Sequence, residues 1–315
     1  MDCLSAGILV ADHLCEPIPR LPAAGELVLA DALPLCLGGC AANAAIDLRR
    51  LGVDVGVVGC VGQDAFGDFV VDTLKAHGVD TAAVRRSAEH GTSGTLIINV
   101  EREDRRFIHT PGANGALRAA DIPLELVRSA RVLYLGGYLM MPSMRHEQVA
   151  ELLAAARAAG VATVLDVVLP RSSEDLTGFD EVLAQTDVFL PNRDEAKAMT
   201  GLDDPLEQAD KFRAAGARTV VITCGDEGAV LVGENERLWS GIYPTDFVGG
   251  TGAGDAFDAG YIAGMLAGAS PRECLQWGSA LGASCVRAIG ATDGVFTRDE
   301  AEAFLRQHEL PLRSL

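Results

Sequence analysis

The residues best placed to do chemistry lie at 247–257, which read FVGGTGAGDAF. A glycine-rich turn feeds a stretch with apolar residues at Ala256, Phe257, Ile262, Ala263, Met265 and Leu266, the spacing of a helix over 252–267. The first amides of a helix have no intrahelical partner, and they sit at the positive end of its dipole. Small residues let a phosphate approach those amides closely. Gly252, Ala253 and Gly254 can therefore stabilise charge on a phosphoryl group, with Asp255 immediately behind them. An Asp in a first helical turn commonly does no more than favour the dipole or cap. A simple cap needs no run of small residues in front of it. The loop is not a P-loop, since no Lys-Ser/Thr pair follows, and its spacing is not that of a GxGxxG dinucleotide fingerprint.

Other polar residues stand where a parallel sheet presents its ligand edge. Asp12 closely follows the first apolar run, at the usual ligand edge of such a sheet. Asn43 follows Gly39 at the start of a helical stretch, where an Asn can also satisfy its own backbone. Asn192 and Glu195 open a helix after Pro191 and read, taken alone, as a solvated pair. Thr223, Gly225 and Gly228 mark a strand-to-hairpin turn of a common kind.

The elements that must hold these residues alternate. Short β-branched runs predict strands at 6–10, 55–61, 95–100, 131–135, 162–166, 187–190, 219–223 and 229–232. Ala/Leu-rich stretches predict helices at 41–51, 66–77, 146–159, 194–199, 206–215, 252–267, 271–288 and 298–308, several closed by a glycine such as Gly52, Gly78, Gly160 or Gly216. Strand, helix, strand in repetition reads as an α/β fold with a mostly parallel sheet covered on both faces. Two stretches break the alternation. Residues 12–36 carry Pro17, Pro19, Pro22 and Pro34, and residues 91–113 alternate, turn at Glu103 and Asp104, and return. The second is a hairpin signal. Both read as strands outside the main sheet that form a small lid on one α/β domain spanning 1–315. A strand-like apolar hairpin leaves an exposed edge, so pairing of two copies through the lid is expected.

Composition excludes several classes. Of 315 residues, 49% are apolar and 22% charged, too apolar for a disordered chain. No apolar run reaches the ~18 residues of a membrane helix, and the N-terminus lacks the basic region of a secretory signal. The net charge of −18 argues against nucleic acid and anionic membrane surfaces as partners. It leaves room for a small anionic ligand held by local amides or a metal ion. Eight cysteines without a CxxC pair read as free thiols in a reducing cytosol.

The sequence resembles the ribokinase-like (PfkB) carbohydrate kinases at several points, in the family's order. GTGAGDAF at 250–257 is similar to the late signature of that family and LGGCAANAA at 37–45 to its early one. GCVGQDAFG at 59–67, PNRDE at 191–195, VITCGDEG at 221–228, and Ala11, Asp12 followed by LPAAGE at 21–26 match further segments. The resemblance implies a three-layer αβα sandwich, the ribokinase-like fold, with a small β lid. It implies ATP- and Mg²⁺-dependent transfer of the γ-phosphoryl group to a hydroxyl of a monosaccharide or close derivative. Asp255 would be the base and Gly252, Ala253 and Gly254 the anion hole. Asp12 and Asn43 would bind acceptor hydroxyls, with Gly39 allowing close approach. Asn192 and Glu195 would help place Mg²⁺ and the phosphates, Glu195 through water, and Thr223, Gly225 and Gly228 would border the nucleotide. A nucleoside kinase of the same family and a non-catalytic sugar- or nucleotide-binding regulator are the alternatives. The retained Asp255 argues against a regulator, and a missing early GxGxxG argues against a nicotinamide-dependent oxidoreductase. One departure stands out. The Asp-Thr that opens the late signature in relatives reads Gly249 and Gly250 here, which removes a carboxylate that helps bind an activating monovalent cation, unless Asp246 compensates.

Overall fold

The computed structural model describes residues 1–103, 105–169 and 176–315. In chain order its elements are β1 (Cys3–Gly7), β2 (Val10–Ile18), β3 (Leu35–Gly38), α1 (Cys40–Arg50), β4 (Val55–Gly62), α2 (Ala65–Ala76), β5 (Asp80–Ser87), β6 (Gly94–Val100), β7 (Arg106–Thr110), α3 (Leu124–Ser129) and β8 (Val132–Gly136). There follow α4 (His146–Ala158), β9 (Ala162–Leu165), α5 (Phe179–Leu183), β10 (Val188–Phe189), α6 (Arg193–Thr200), α7 (Pro205–Ala214), β11 (Thr219–Thr223), β12 (Ala229–Val232) and β13 (Arg237–Ser240). The chain ends with α8 (Ala253–Leu266), α9 (Pro271–Cys285), α10 (Arg298–Gln307) and β14 (Leu312–Ser314).

Ten strands form one sheet in the order β14-β13-β12-β11-β10-β9-β8-β1-β4-β5. Every pairing from β11 across to β5 is parallel, and β12 to β14 add an antiparallel edge. The inner strands are buried on both faces, which is why they read as continuous apolar runs. Their side chains feed two cores by alternation: Val132 and Tyr134 of β8 enter one, Leu133 and Leu135 the other. The first core joins the sheet to α1, α2, α8, α9 and α10, the second to α3 through α7. This is the expected three-layer α/β sandwich.

The other four strands form a small sheet, order β3-β2-β6-β7. β6 and β7 pair antiparallel as the expected hairpin, and β2 pairs parallel with β6. Of the turn expected at Glu103 and Asp104, Asp104 lies outside the described residues. Two expectations need correction. The single strand expected over 6–10 is two strands in two sheets. β1 ends at Gly7, whose φ of 145° brings it so close to Gly136 that a Cβ would stand 2.1 Å from the Gly136 carbonyl oxygen. Val10 then starts β2 in the small sheet. Residues 12–36 are also strand only at their two ends: the intervening segment is largely exposed and keeps only isolated main-chain bonds to β2, from the Leu14 and Glu16 amides to the Pro34 and Ala32 carbonyls. β5, β13 and β14 lie beyond the strands that the sequence pattern indicated.

The hairpin is rooted at Asp64, the N-cap of α2. Its carboxylate accepts from the amides of Gly67 and Thr92 at 2.8 Å each and from the Thr92 hydroxyl at 2.6 Å. The segment at 59–67 thus ties the root of the hairpin to the main sheet.

Candidate active site

α8 begins where Gly252 takes φ 79° as its N-cap. A Cβ there would stand 2.4 Å from the Ala291 carbonyl oxygen, so only glycine fits. The thiol of Cys285 donates to the carbonyls of Thr251 (3.3 Å) and Ala291 (3.1 Å), fixing the loop from behind. On the other side nothing lies within 4 Å of a Cβ built on Gly254. The open face of the helix N-terminus is therefore there, and Ala253 sits between the two glycines.

Asp255 follows in the first turn. Asn43 Nδ2 of α1 donates to its Oδ2 at 2.7 Å. Ligand atoms of Cys40, Asp166 and Asp255 all lie within 4.8 Å of one another. Burial pushes the Asp255 carboxyl up, while hydrogen bonds from Asn43 and Cys40 act the other way. Asp166, just past β9, accepts from the Gly137 amide at 2.8 Å. Burial first, then the charges of Glu195 and Asp255, hold it well above the usual carboxylate range. One turn behind Asp255, the Tyr134 hydroxyl donates to Asp258 at 2.8 Å.

Asp12 stands inside β2, paired in register with Cys36 and Thr95, rather than just past a main-sheet strand. It faces the same cleft: burial pushes it up to about 6, opposed by a bond from Thr95 and reinforced by Asp255. Buried Asp12 Oδ1 and Asn43 Oδ1 both have no hydrogen-bond partner. The space beside Gly39 is taken by chain, since a Cβ would stand 2.4 Å from the Ile8 carbonyl oxygen.

Asn192 and Glu195 form a capping box on α6, each side chain bonded to the other's amide at 2.9 Å. Burial pushes Glu195 up to about 7, with Asp255 adding to the rise. Asn192 bridges to Thr223 at the end of β11. Gly225 has φ 59°, and Gly228 has φ 95° with the Ser240 carbonyl oxygen 1.9 Å from a Cβ position, so backbone packing alone demands glycine at 228. The structure thus brings Asp12, Asn43, Asp255 and Glu195 within reach of one another, and Asn192 links this group to Thr223 at the head of the Gly225–Gly228 turn. Asp246 is exposed.

The pfkB family carbohydrate kinase profile matches residues 5–298. The chain belongs to the pfkB family of carbohydrate kinases. It is a phosphotransferase with an alcohol group as acceptor. It is 28% identical over 305 residues to a ribokinase of Haemophilus influenzae, covering 95% of this chain and 96% of that one. It is 30% identical over 281 residues to a 2-dehydro-3-deoxygluconokinase of Bacillus subtilis, covering 85% and 86%. Its fold superposes on Arabidopsis thaliana ribokinase, solved with ribose and ATP, with TM-score 0.82, 26% identity and coverage of 96% and 97%. No helix among the described residues is long and apolar enough to cross a membrane.

In this pfkB kinase the sequence reading passed over Cys40, Asp166 and Asp258. Asp166 carried a usable signal, an acid ending a buried apolar strand at the ligand edge. Cys40 carried none, because its proximity to Asp255 comes from the packing of α1 against α8; Asp258 sits one turn on in α8 itself, and what the sequence hides is its bond from Tyr134 of β8. Of two polar hairpin residues, His109 meets Thr95 at 3.1 Å and Arg106 pairs with Glu103.

Proposed function

We propose that this pfkB kinase transfers the γ-phosphoryl group of ATP to a hydroxyl of a monosaccharide or close derivative. The observation that carries the reading is Asp255 beside the open N-terminus of α8, steered by Asn43 at 2.7 Å. The acceptor oxygen bonds to phosphorus as the bond to the bridging oxygen breaks. Asp255 takes the hydroxyl proton and ADP leaves. A loose transition state asks little of the base, so positioning and charge stabilisation by the amides at Gly252, Ala253 and Gly254 carry most of the effect. The unpartnered oxygens of Asp12 and Asn43 are acceptors suited to sugar hydroxyls.

The mutual repulsion of Glu195, Asp166 and Asp255 fits a hard cation with oxygen ligands. Glu195 would hold Mg²⁺ there through water, with Asn192 keeping Glu195 in place, and the ion would supply positive charge against the phosphates. Thr223, Gly225 and Gly228 border the nucleotide in this reading. The test is a panel of sugars, sugar acids and nucleosides screened for acceptor-dependent ADP release. Turnover with a sugar or sugar acid supports the reading; release with nucleosides alone, or with none, overturns it.

The small sheet acts here as a lid that excludes water. It exposes Leu96, Phe107 and Ile108, at 40%, 56% and 63% accessibility. A second copy covering that face is expected, and a monomeric mass by sedimentation at working concentration would contradict it.

A further inference from the structure

The cleft is acidic before any substrate enters. Besides burial, the charge of Asp255 already raises the proton affinity of Asp12, Asp166 and Glu195, and a triphosphate adds further negative charge. The small sheet brings a fixed cation to this place. Arg105, immediately before β7 and half-buried, donates through Nη1 to the hydroxyl of Thr251. Thr251 directly precedes Gly252, the N-cap of α8. The guanidinium carbon lies 5.7 Å from the centroid of the Phe107 ring, on the same hairpin.

The glycine loop is shaped to admit this group. A Cβ on Gly250 would meet Arg105 Nη2 at 3.5 Å and the Phe107-independent ring of Phe247 at 3.8 Å. A Cβ alone would fit there, but a longer side chain would grow into the guanidinium. The contact joins residues 146 apart in sequence and links the small sheet to the helix N-terminus across the cleft. A guanidinium presents N–H donors in a planar fork that matches phosphoryl oxygens. Held at Thr251, that fork stands one residue from the amides that receive the phosphoryl group.

We propose that Arg105 is a catalytic arginine, carried by the hairpin, that bonds equatorial oxygens of the phosphoryl group during transfer. The inference rests on the phosphoryl-transfer reading above. Arg105 exchanges no proton: the acceptor oxygen–phosphorus bond forms, the bridging bond breaks, and Asp255 receives the hydroxyl proton. Arg105 neutralises charge on the oxygens in flight and ties hairpin closure to chemistry.

The test uses the full chain with Mg-ATP and the best acceptor, comparing wild type, Arg105→Ala, Arg105→Lys and Asp255→Asn. Arg105→Ala is expected to lower kcat ~10²–10³-fold, the scale of a transition-state charge donor, with acceptor KM changed less than about threefold and the rate partly restored by added guanidinium. Arg105→Lys recovers part of the loss, because it returns the charge without the fork. By calorimetry, affinity for ADP with aluminium fluoride falls with kcat while affinity for ADP alone holds. A kcat within about twofold of wild type, a loss confined to acceptor KM, or an unchanged aluminium fluoride complex would overturn the proposal. If Asp255→Asn is inactive and Arg105→Ala is not, this inference alone fails. If Asp255→Asn turns over like wild type, the chemistry proposed above fails instead.

Discussion

The two halves of the cleft are finished to different degrees. On the side proposed for the nucleotide, Asn192 and Glu195 satisfy each other's amides, Asn192 bridges to Thr223, and Gly228 is dictated by the Ser240 carbonyl. On the acceptor side, Asp12 Oδ1 and Asn43 Oδ1 are buried without partners, and Asp255 shares its neighbourhood with Cys40 and Asp166. Buried polar atoms without partners cost free energy that a locally bonded pair does not. The Asn192–Gly228 side is therefore built largely by the demands of the fold, and the Asp12–Asn43 side is held in a costly state that, in the proposed reading, acceptor hydroxyls would relieve. Substitutions on the two sides should separate accordingly, catalysis suffering on one and stability on the other.

The largest effect is expected at Asp255. Asp255→Asn should lower turnover ~10²–10⁴-fold, the range of a lost general base, with ATP binding by calorimetry retained. Unchanged turnover would break the contrast at its centre. Asn43→Ala comes next, at ~10–10²-fold in kcat. The Asn43 bond is one of the two that hold the Asp255 carboxyl down against burial, so its loss should also move the acid limb of the pH–rate profile upward. A lower kcat without that move would make Asn43 an acceptor ligand only.

The third prediction concerns Glu195, the point where the two halves meet electrostatically. Burial pushes its carboxyl up to about 7 from an ordinary 4.5. A raised carboxylate stabilises the fold fully below the unfolded value, and that contribution is lost as pH rises through 7. Metal binding runs oppositely, because it needs the ionised form, so apparent Mg²⁺ affinity should fall about tenfold per unit as pH drops below 7. Titrating Mg²⁺ at pH 6, 7 and 8 measures this, and Glu195→Gln should flatten the dependence. The smallest effect is expected at Asn192. Asn192→Ala removes a helix cap worth ~1 kcal/mol, read by denaturant unfolding, and should alter kcat less than tenfold. A larger fall in kcat would place Asn192 with the acceptor-side residues.

The parts legible in sequence were those with local causes. Buried parallel strands such as β4 and β8 are continuous apolar runs, and the hairpin of β6 and β7 alternates. β5 escaped because it is an edge strand with Arg85 and Arg86 in it, and β13 and β14 because runs of four and three residues carry little pattern. The join of β1 to β2 was hidden because Ile8 and Leu9 continue the apolar run while the backbone breaks at Gly7. In the site, Asp255 and its glycines were legible because one turn of chain assembles them. Cys40 and Arg105 were not, and Asp166 was legible only as an acid at a strand end, not as a neighbour of Asp255. Cys40 and Arg105 gain their places only when α1 and the hairpin meet α8.

The contact of Gly252 with Ala291 has a consequence for how turnover can be adjusted. The start of α8 leans on the buried Ala291, and the Cys285 thiol rivets the two together through main-chain oxygens. Replacements around Ala291 can then tilt the helix mouth by fractions of an ångström. A buried residue seated behind the helix thereby sets how squarely its first amides face what they bind.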